Sequence, residues 1–437
     1  MLKKKISKIL FLTTALSMLT ACQSNATPNP DITVFEESKI FETNEFIESD
    51  NNIIITDDGE DIGNMEQSRD LKTDKPFIPA EELYNTEKKN IDADVFKKGF
   101  HLNFVDGNRF FFSQNTLGKA FYNLMPYEEL VEKAVIAMYD LDKGETMVVL
   151  SEGPKGDEYG LSLYPLTTYS SYLYFFRIDN KAFAELCEEI SLWRVNLNNG
   201  TPEKLFTLES KGNIKNPVQL DSFMYFYEPC EAEVGGKDSI WVIYQCDLKT
   251  GETSVFRYNA ERPLTYKNGI IYYHNGGFYY HGDSSVVTGK GSFYKGDELI
   301  FYPNPDSSNR VSGINSKNDV IIYTYDIYDS NNYATGSVLG VFDEDFKRVD
   351  IGSTLLPAQY ITADYCCISD SGLISVENAA KPLIYDAQND SFSEISIDGY
   401  SMYSVFAAED GLRILAYEID DDKNYSSVAM YTVTRKQ

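Results

Sequence analysis

The sequence is poor in histidine, tryptophan and basic residues, and these shortages exclude several classes of site. Of 437 residues, 3 are histidine and 2 are tryptophan. No C-x-x-C pair and no Cys/His spacing of a zinc site occurs. Lys and Arg total 39 against 67 Asp and Glu, which gives a formal charge of −28. Nucleic-acid binding needs clustered basic side chains that face phosphates, so we expect no nucleic-acid partner.

The motifs of common enzyme classes are also missing. The chain has no G-x-S-x-G nucleophile elbow, no P-loop, no G-x-G-x-x-G after a predicted strand and no H-E-x-x-H. We therefore expect no cofactor. A pair of carboxylates for glycoside chemistry stays open, because such a pair is recognised by its separation in space.

Two local patterns are weak metal candidates. His274 and His281 lie in IIYYHNGGFYYHGD, a predicted hairpin in which they would share one face. Asp420 and Asp422 match the first ligand positions of a calcium loop, but Tyr425 stands where that loop requires glycine. We expect no metal at either place.

Long apolar runs are absent except for a short one near the N-terminus. Basic residues precede an apolar run from Ile9 to Met18, which is shorter than the roughly 20 residues of a membrane span. Leu19-Thr20-Ala21-Cys22 follows, and this layout resembles the signal peptide and lipobox of bacterial lipoproteins. The resemblance implies that residues 1–21 are removed and that Cys22 carries lipid, palmitate included, on the outer face of the cell membrane.

Residues 22–95 are polar and acidic and show little periodicity. Such a composition buries too little apolar surface to offset the cost of ordering, so we predict a flexible stalk. Its β-prone islands are Thr33–Phe35 and Ile53–Thr56. We expect the compact domain over residues 96–437.

Five cysteines follow Cys22, and an odd number leaves at least one thiol unpaired in a monomer. Cys230 and Cys246 flank a predicted hairpin, and whether they pair is left open. Cys366 and Cys367 are adjacent in a strand-like segment, where neighbours point to opposite faces, so we interpret them as packing residues.

A strand–turn–strand unit recurs along the chain. Asp or Asn at the first turn position caps the turn, and Gly four residues later permits the left-handed conformation of the return. We interpret these residues as structural. The copies place Asp140 before Gly144, Asn196 before Gly200, Asp247 before Gly251, and Asp386 before Asp390.

A second recurring unit is a polar turn that leads into an aromatic strand. Copies begin near residues 105, 169, 220, 266, 294, 316, 369 and 408. The copies near 266, 294 and 316 are crowded, so one of them is interpreted as a second strand within one repeat. Helical periodicity is rare, and Tyr127–Met138 is the best candidate for a helical turn or two.

These repeats resemble the YWTD/TolB-like propellers, and in particular lipid-anchored bacterial ones. The resemblance covers roughly residues 100–437 and implies an all-β propeller of four-stranded antiparallel blades. Seven blades fit best, with six and eight left open. The last repeat ends without an outer strand, so we expect a segment before residue 100 to supply it, either Ile53–Thr56 or residues near Val95.

The propeller architecture predicts the shape of the protein well but its function poorly. We expect a binding or scaffold module for protein, peptide or glycan. A polysaccharide-active enzyme with paired carboxylates at the channel mouth and an assembly factor for exported proteins are the alternatives. The predicted binding loops are the longest insertions, Gln114–Val135, Ser151–Tyr164, Asn180–Ile190 and Pro229–Lys237.

Overall fold

Short strands joined by turns form the folded part of the chain. The computed structural model describes residues 71–92, 101–116, 132–156, 159–181, 189–208, 217–230, 240–274, 277–283, 295–301, 311–328, 334–343, 346–355, 362–376, 381–400, 402–419 and 425–436. The strands form seven four-stranded antiparallel sheets, one per blade. The predicted all-β propeller and its count of seven blades are confirmed.

The strands of the first four blades follow chain order from inner to outer. Blade 1 contains β2 (His101–Asp106), β3 (Arg109–Gln114), β4 (Ala134–Asp140) and β5 (Glu145–Glu152). Blade 2 contains β6 (Tyr159–Tyr169), β7 (Tyr172–Lys181), β8 (Glu189–Asn196) and β9 (Pro202–Thr207). Blade 3 contains β10 (Val218–Leu220), β11 (Phe223–Cys230), β12 (Ile240–Asp247) and β13 (Thr253–Tyr258). Blade 4 contains β14 (Ala260–Tyr266), β15 (Gly269–His274), β16 (Gly277–Asp283) and β17 (Lys295–Phe301).

The remaining blades keep this order until the last one, whose outer strand comes from the start of the chain. Blade 5 contains β18 (Val311–Lys317), β19 (Val320–Tyr328), β20 (Ala334–Phe342) and β21 (Arg348–Leu355). Blade 6 contains β22 (Cys367–Ile368), β23 (Leu373–Val376), β24 (Leu383–Asp386) and β25 (Ser391–Glu394). Blade 7 contains β26 (Met402–Ala407), β27 (Gly411–Ile419), β28 (Tyr425–Arg435) and β1 (Tyr84–Ile91).

Helical structure is confined to short pieces. A four-residue helix, α1 (Ala80–Leu83), precedes β1, and a 3-10 turn spans Ala363–Tyr365. The described residues contain no helix long and apolar enough to cross a membrane. The predicted helix at Tyr127–Met138 is wrong where it is described: Ala134–Asp140 is β4, which pairs with strands on both sides. This pairing outweighs the local periodicity.

The aromatic strands pack on both of their faces. In β3, Phe110 and Phe112 face blade 7, while Phe111 faces blade 2. Consecutive residues of a strand point to opposite sides of the sheet, so an aromatic run supplies both interfaces of its blade. The crowded copy near residue 294 is β17, the outer strand of blade 4, as the crowding indicated.

The apolar core is divided among the contacts between blades. Within the described residues there are seven buried clusters, and each draws its members mainly from two neighbouring blades. One of them joins Leu415 and Met430 of blade 7 to Phe110 and Tyr139 of blade 1. The ring is therefore closed by the same packing that joins its other blades.

The recurring turns connect the third strand to the outer strand. In the first, Asp140 Oδ1 accepts hydrogen bonds from the Asp142 and Lys143 amides at 3.1 Å, and Gly144 has φ +67°. The carboxamide or carboxyl of Asn196, Asp247 and Asp386 accepts an equivalent bond from the amide two residues on. The left-handed partners are Gly200, Gly251 and Asp390, with φ of +69°, +84° and +46°.

The closing strand comes from before residue 100, but from a different segment than expected. β1 (Tyr84–Ile91) pairs antiparallel with β28 along its whole length. The segment Ile53–Thr56 and the residues near Val95 lie outside the described residues. β1 belongs to residues 22–95, the segment that was expected to supply the closing strand, and it is part of blade 7.

Residues 71–79, which we call the strap, run along the outer edges of two further blades. The Lys72 amide donates to the Ser353 carbonyl at 2.8 Å, and the Ser353 amide donates to the Lys72 carbonyl at 2.9 Å. The strap then reaches blade 6, where the Phe392 amide donates to the Pro76 carbonyl and the Ile78 amide donates to the Phe392 carbonyl, both at 2.9 Å. The chain thus contacts blades 5 and 6 before it enters blade 7.

Both ends of the described chain meet at one buried carboxylate, Asp386. Arg435, at the end of β28, donates to it from Nε at 3.1 Å and from Nη2. Asn389 Nδ2 donates at 2.9 Å, and the Tyr84 hydroxyl lies 3.4 Å away. Burial alone would raise the pKa of Asp386, but the hydrogen bonds from Arg435 and Asn389 lower it below its usual value. We call this group the Asp386 clasp.

The open question of a Cys230–Cys246 disulfide is settled by strand register. Cys230 lies opposite Ile240, whereas Cys246 lies opposite Met224 at the other end of the same strand pair. Six residues of strand separate them by roughly 20 Å, and a disulfide needs Cα atoms within roughly 7 Å. Cys246, Cys366 and Cys367 are free thiols.

Removal of β1 is expected to open the ring. A chain that starts at residue 92 leaves one edge of β28 unpaired and removes Tyr84 from the Asp386 clasp. Relative to a chain that starts at residue 80, which lacks the strap but keeps β1, its melting temperature should fall by about 10 °C or more. Thermal unfolding followed by circular dichroism checks this, and equal melting of the two chains would contradict closure by β1.

Substitution in the Asp386 clasp is expected to destabilise the ring in a pH-dependent way. Asp386→Asn leaves Arg435 without its buried partner and should cost about 3–5 kcal/mol at pH 7. Because the folded-state pKa is depressed, this stabilisation is complete above about pH 5 and is lost as pH falls through the folded pKa. The variant should therefore come progressively closer to the wild type in stability as the pH falls below about 4, the usual pKa of an aspartate, and through the lower folded pKa.

The matched control lies on the same blade. Lys381 and Glu394 form an exposed ion pair with a separation of 3.8 Å. Glu394→Gln should cost about 0–1 kcal/mol at pH 7. Urea unfolding at several pH values measures both variants, and a similar cost for the two would show that the clasp contributes no more than a surface pair.

Candidate binding face

The direction of the strands sorts the connections onto two ends of the ring. First strands of neighbouring blades contact one another, so they surround the axis. Since successive strands are antiparallel, the connection between the second and third strands lies at the same end as the connection to the next blade. We call this end the insertion face. The other two connections of each blade lie at the opposite end, the turn face.

The strands that flank the predicted binding loops all meet them at the insertion face. The connections between these strands are residues 115–133, 153–158, 182–188 and 231–239, and residues 151–152 and 159–164 of the predicted loop Ser151–Tyr164 belong to β5 and β6. The strand bounds add further long connections at the same end, namely residues 208–217, 302–310 and 356–366. Except for residues 284–294, every connection longer than five residues is on this face. Residues 117–131, 182–188 and 231–239 lie outside the described part of the chain.

A charged group lies at this end of the interface between blades 1 and 2. Arg177, near the end of β7, forms an ion pair with Glu152 at the end of β5. Its Nε and Nη2 donate to the two carboxylate oxygens of Asp179 at 3.3 and 3.4 Å. The Asp179 side chain is 5% exposed and that of Arg177 is 15% exposed. Two carboxylates thus share one guanidinium, which leaves the group net negative.

The same group rests against an aromatic surface. The Arg177 guanidinium lies 5.7 Å from the centroid of the Trp193 ring, within range of a cation–π contact. The Trp193 indole N–H donates to Ser191 Oγ at 2.9 Å, and its ring stacks on Phe175 at 6.4 Å. These contacts fix the indole, so the charged group is held in a defined position.

The longest connection begins directly above this group. After β3 the chain crosses to blade 2, where the Thr116 amide donates to the Leu161 carbonyl at 2.9 Å and the Leu161 amide donates to Thr116 Oγ1 at 2.8 Å. Asn115 Oδ1 accepts from the Leu163 amide at 3.0 Å. The start of the connection 115–133 is therefore anchored on β6.

Two further carboxylates lie at the insertion end of blades 2 and 3. Lys204 Nζ donates to Glu189 at 2.6 Å, and this bond lowers the pKa of Glu189. Glu228, in β11, is fully buried. The described part of the face is acidic, as the whole chain is.

The two candidate histidines do not form a common site. They share one face of the β15–β16 hairpin, but His274 lies opposite Gly277 and His281 opposite Ile270, which separates them by roughly 13 Å. His274 Nδ1 contacts the Asn259 carbonyl at 2.7 Å. His281 is edge-on to Phe256 at 5.0 Å, and burial lowers its pKa.

The other predicted residues fall in two groups. The turn residues from Asp140 to Asp390 lie on the turn face, away from the insertions. Cys22, Asp420 and Asp422 lie outside the described residues. Over the residues that are described, no group of three or more His, Cys, Asp or Glu side chains is placed to hold a metal ion.

The sequence reasoning missed the group around Arg177. Its signal is visible in YLYFFRIDN, where Arg177 and Asp179 interrupt a buried aromatic strand at alternate positions, just before a predicted insertion. Charged residues on a strand face that packs against the neighbouring blade indicate that one end of the interface between the two blades is polar. Glu152 could not be assigned as their partner, because it belongs to a different blade.

Comparison with known proteins yields no match to any family model and none to any curated protein. Solved structures give weak likenesses. The β-propeller domain of the trilobed protease from Pyrococcus furiosus is 10% identical, with 78% of this chain and 95% of that chain covered and a TM-score of 0.49. TolB from Acinetobacter baumannii is 13% identical, with 78% and 67% covered and a TM-score of 0.34.

The acylaminoacyl peptidase from Pyrococcus horikoshii is 10% identical with a TM-score of 0.45, and this chain spans about half of it, 52%. With identities this low and TM-scores below 0.5, none of these likenesses carries an argument about function. By its own sheet topology the chain is a seven-bladed β-propeller, and no family is assigned to it.

Proposed function

We propose that this protein is a lipid-anchored, extracytoplasmic binding or scaffold module whose insertion face holds a protein, peptide or glycan ligand. The observation that carries the proposal is the concentration of long connections at one end of the ring. Binding residues are commonly placed on loops that a rigid scaffold positions. No observation on the described residues favours the polysaccharide-active enzyme, whereas an assembly factor for exported proteins is a special case of the binding module.

The ring supplies the rigidity that such loops require. Seven inter-blade clusters and the Asp386 clasp hold the blades together over the described residues. The 115–133 connection is fastened to β6, and the charged group at Arg177 is held by Trp193 and Glu152. The loops thus emerge from fixed positions, which lowers the entropy cost of binding.

The anchor in this proposal is lipid on Cys22, for which the support is the lipobox-like sequence alone. Cys22→Ser should move the protein from the detergent phase to the aqueous phase in Triton X-114 partitioning and abolish incorporation of labelled palmitate. Two or more acyl chains are needed for stable anchoring, so the shift should be nearly complete. Cys246→Ser, which alters a buried thiol of the ring, is the control and should stay in the detergent phase.

Ligand capture should depend on the insertion face. The test variant replaces residues 182–188 and 231–239 by short Asn-Gly turns. Mild crosslinking with mass spectrometry should no longer detect the protein partners of the wild type, or, for a glycan ligand, the signal on a glycan array should be lost. The control, Asn198→Lys with Lys249→Glu, alters exposed residues of the turn face and should keep them. Equal capture by the two variants would contradict a ligand site on the insertion face.

A further inference from the structure

Each four-stranded blade leaves one edge of its outer strand open to a further strand. In this chain the edges of blades 5 and 6 both donate backbone hydrogen bonds to the strap and accept them from it, and the outer strand of blade 7 is itself a segment from elsewhere in the chain. The described residues therefore show twice that an outer strand of this propeller accepts added backbone, and once that a blade takes its outer strand from elsewhere in the chain. The outer strands β5, β9, β13 and β17 end their sheets without such a partner among the described residues.

β5 differs from the other three by the residues along its edge. Exposed edge strands are normally protected by Lys, Arg or Pro, which discourage pairing with another chain. β9 contains Pro202 and Lys204, β13 contains Arg257, and β17 contains Lys295. β5 has the sequence ETMVVLSE, with no basic residue and no proline. Its centre is uncharged and rich in β-branched residues, which favours pairing.

The apolar residues of β5 are also open to solvent. Its first four residues are exposed, with Met147 at 42% and Val148 at 62%. On β13, Val255 is 38% and Tyr258 is 46% exposed, but Arg257 lies between them. A partner that covers Val148 would remove apolar surface from water while it pairs with the open edge.

Charge indicates which partner would fit. β5 begins at Glu145 and ends at Glu152, and the chain as a whole carries −28. A second copy would bring the same excess of negative charge to the contact and is disfavoured. A segment that is apolar at its centre and basic at its ends complements both the exposed valine and the terminal carboxylates.

We propose that the outer edge of β5 docks an extended segment of a partner protein by strand addition. The segment forms a fifth strand on blade 1, covers Met147 and Val148, and places its basic ends near Glu145 and Glu152. Main-chain hydrogen bonds provide the affinity in this mode of recognition, and alternate side chains provide the selectivity. The inference rests on the proposed binding function and names its ligand class as protein rather than glycan, because a fifth strand requires a peptide backbone. Glu152, which ends β5, lies where this edge meets the insertion face.

The test uses the full mature chain in detergent and a fluorescein-labelled peptide, Lys-Thr-Val-Thr-Val-Thr-Lys, with fluorescence anisotropy as the readout. Saturable binding is expected. The same peptide methylated on alternate backbone nitrogens should bind about tenfold more weakly or not at all, because it cannot complete the hydrogen bonds to the edge. Equal binding of the methylated peptide, or no binding of either, would overturn the proposal.

Two matched variants locate the site. Val148→Lys should weaken binding about tenfold, since it puts a cation on the edge and opposes the basic peptide. Val255→Lys, on β13, should leave binding unchanged. Both positions are exposed, and unchanged melting temperatures would verify folding. Equal effects of the two variants would overturn the assignment to β5.

Two further readouts separate this proposal from others. Analytical sedimentation tests whether a second copy occupies the edge. A dimer of the wild type that Val148→Lys abolishes would identify a second copy as the occupant and overturn the proposal of a segment from a partner protein. If the wild type does not bind the peptide but still captures cellular partners through the insertion face, docking at the β5 edge is rejected and the proposed function is not. Loss of capture in both loop and turn-face variants would instead reject the proposed function.

Discussion

Closure of the ring is the constraint on which the rest of the structure depends. Each blade is apolar on both faces. In β3 of blade 1, Phe110 and Phe112 pack against blade 7, and Phe111 packs against blade 2. A sheet of this kind cannot leave either face in water without a cost of about 25 cal/mol for each Å² of apolar surface. Seven such sheets satisfy one another only in a closed circle. The pairing of β1 with β28 and the Asp386 clasp complete that circle, and both lie near the two ends of the described chain.

What the sequence predicts well is local. The Asp or Asn and the Gly of the tight turns, such as Asp140 and Gly144, act within five residues of chain, so their spacing alone predicts the turns. The aromatic strands are predicted equally well, because both of their faces are buried and the sequence shows a continuous apolar run. β1 was not singled out for the opposite reason. YNTEKKNI is an outer strand with six exposed residues in a row, so β-propensity gives no signal for it, and the candidates were Ile53–Thr56 and residues near Val95. Its identity follows from the need to close blade 7, a requirement of the whole ring.

The candidate site was predictable only in part for a related reason. Insertions are visible in sequence as interruptions of the repeat, and antiparallel geometry places them at one end. The charged group at their base joins Glu152 of one blade to Arg177 and Asp179 of the next. Contacts of this kind depend on how neighbouring sheets are set against each other. Cys230 and Cys246 have a different limit: both lie in blade 3, and the strand register that puts them at opposite ends of one hairpin is not visible in the sequence.

The two faces of the ring are unequal for a packing reason. On the turn face, the turn of one blade lies against the outer strand of the blade before it: a Cβ on Gly251 would lie 2.8 Å from Leu205, and one on Gly200 would lie 3.6 Å from the Val149 carbonyl. Longer connections there would have to displace these contacts, and with them the packing that closes the ring. At the insertion face, the described contacts with the ring lie at the ends of the connections: Thr116 pairs with β6, and Ala363 and Cys366 pack in the core between blades 5 and 6. Variation in length therefore accumulates where it leaves closure intact, and a ligand site built from those loops can diversify without loss of the fold.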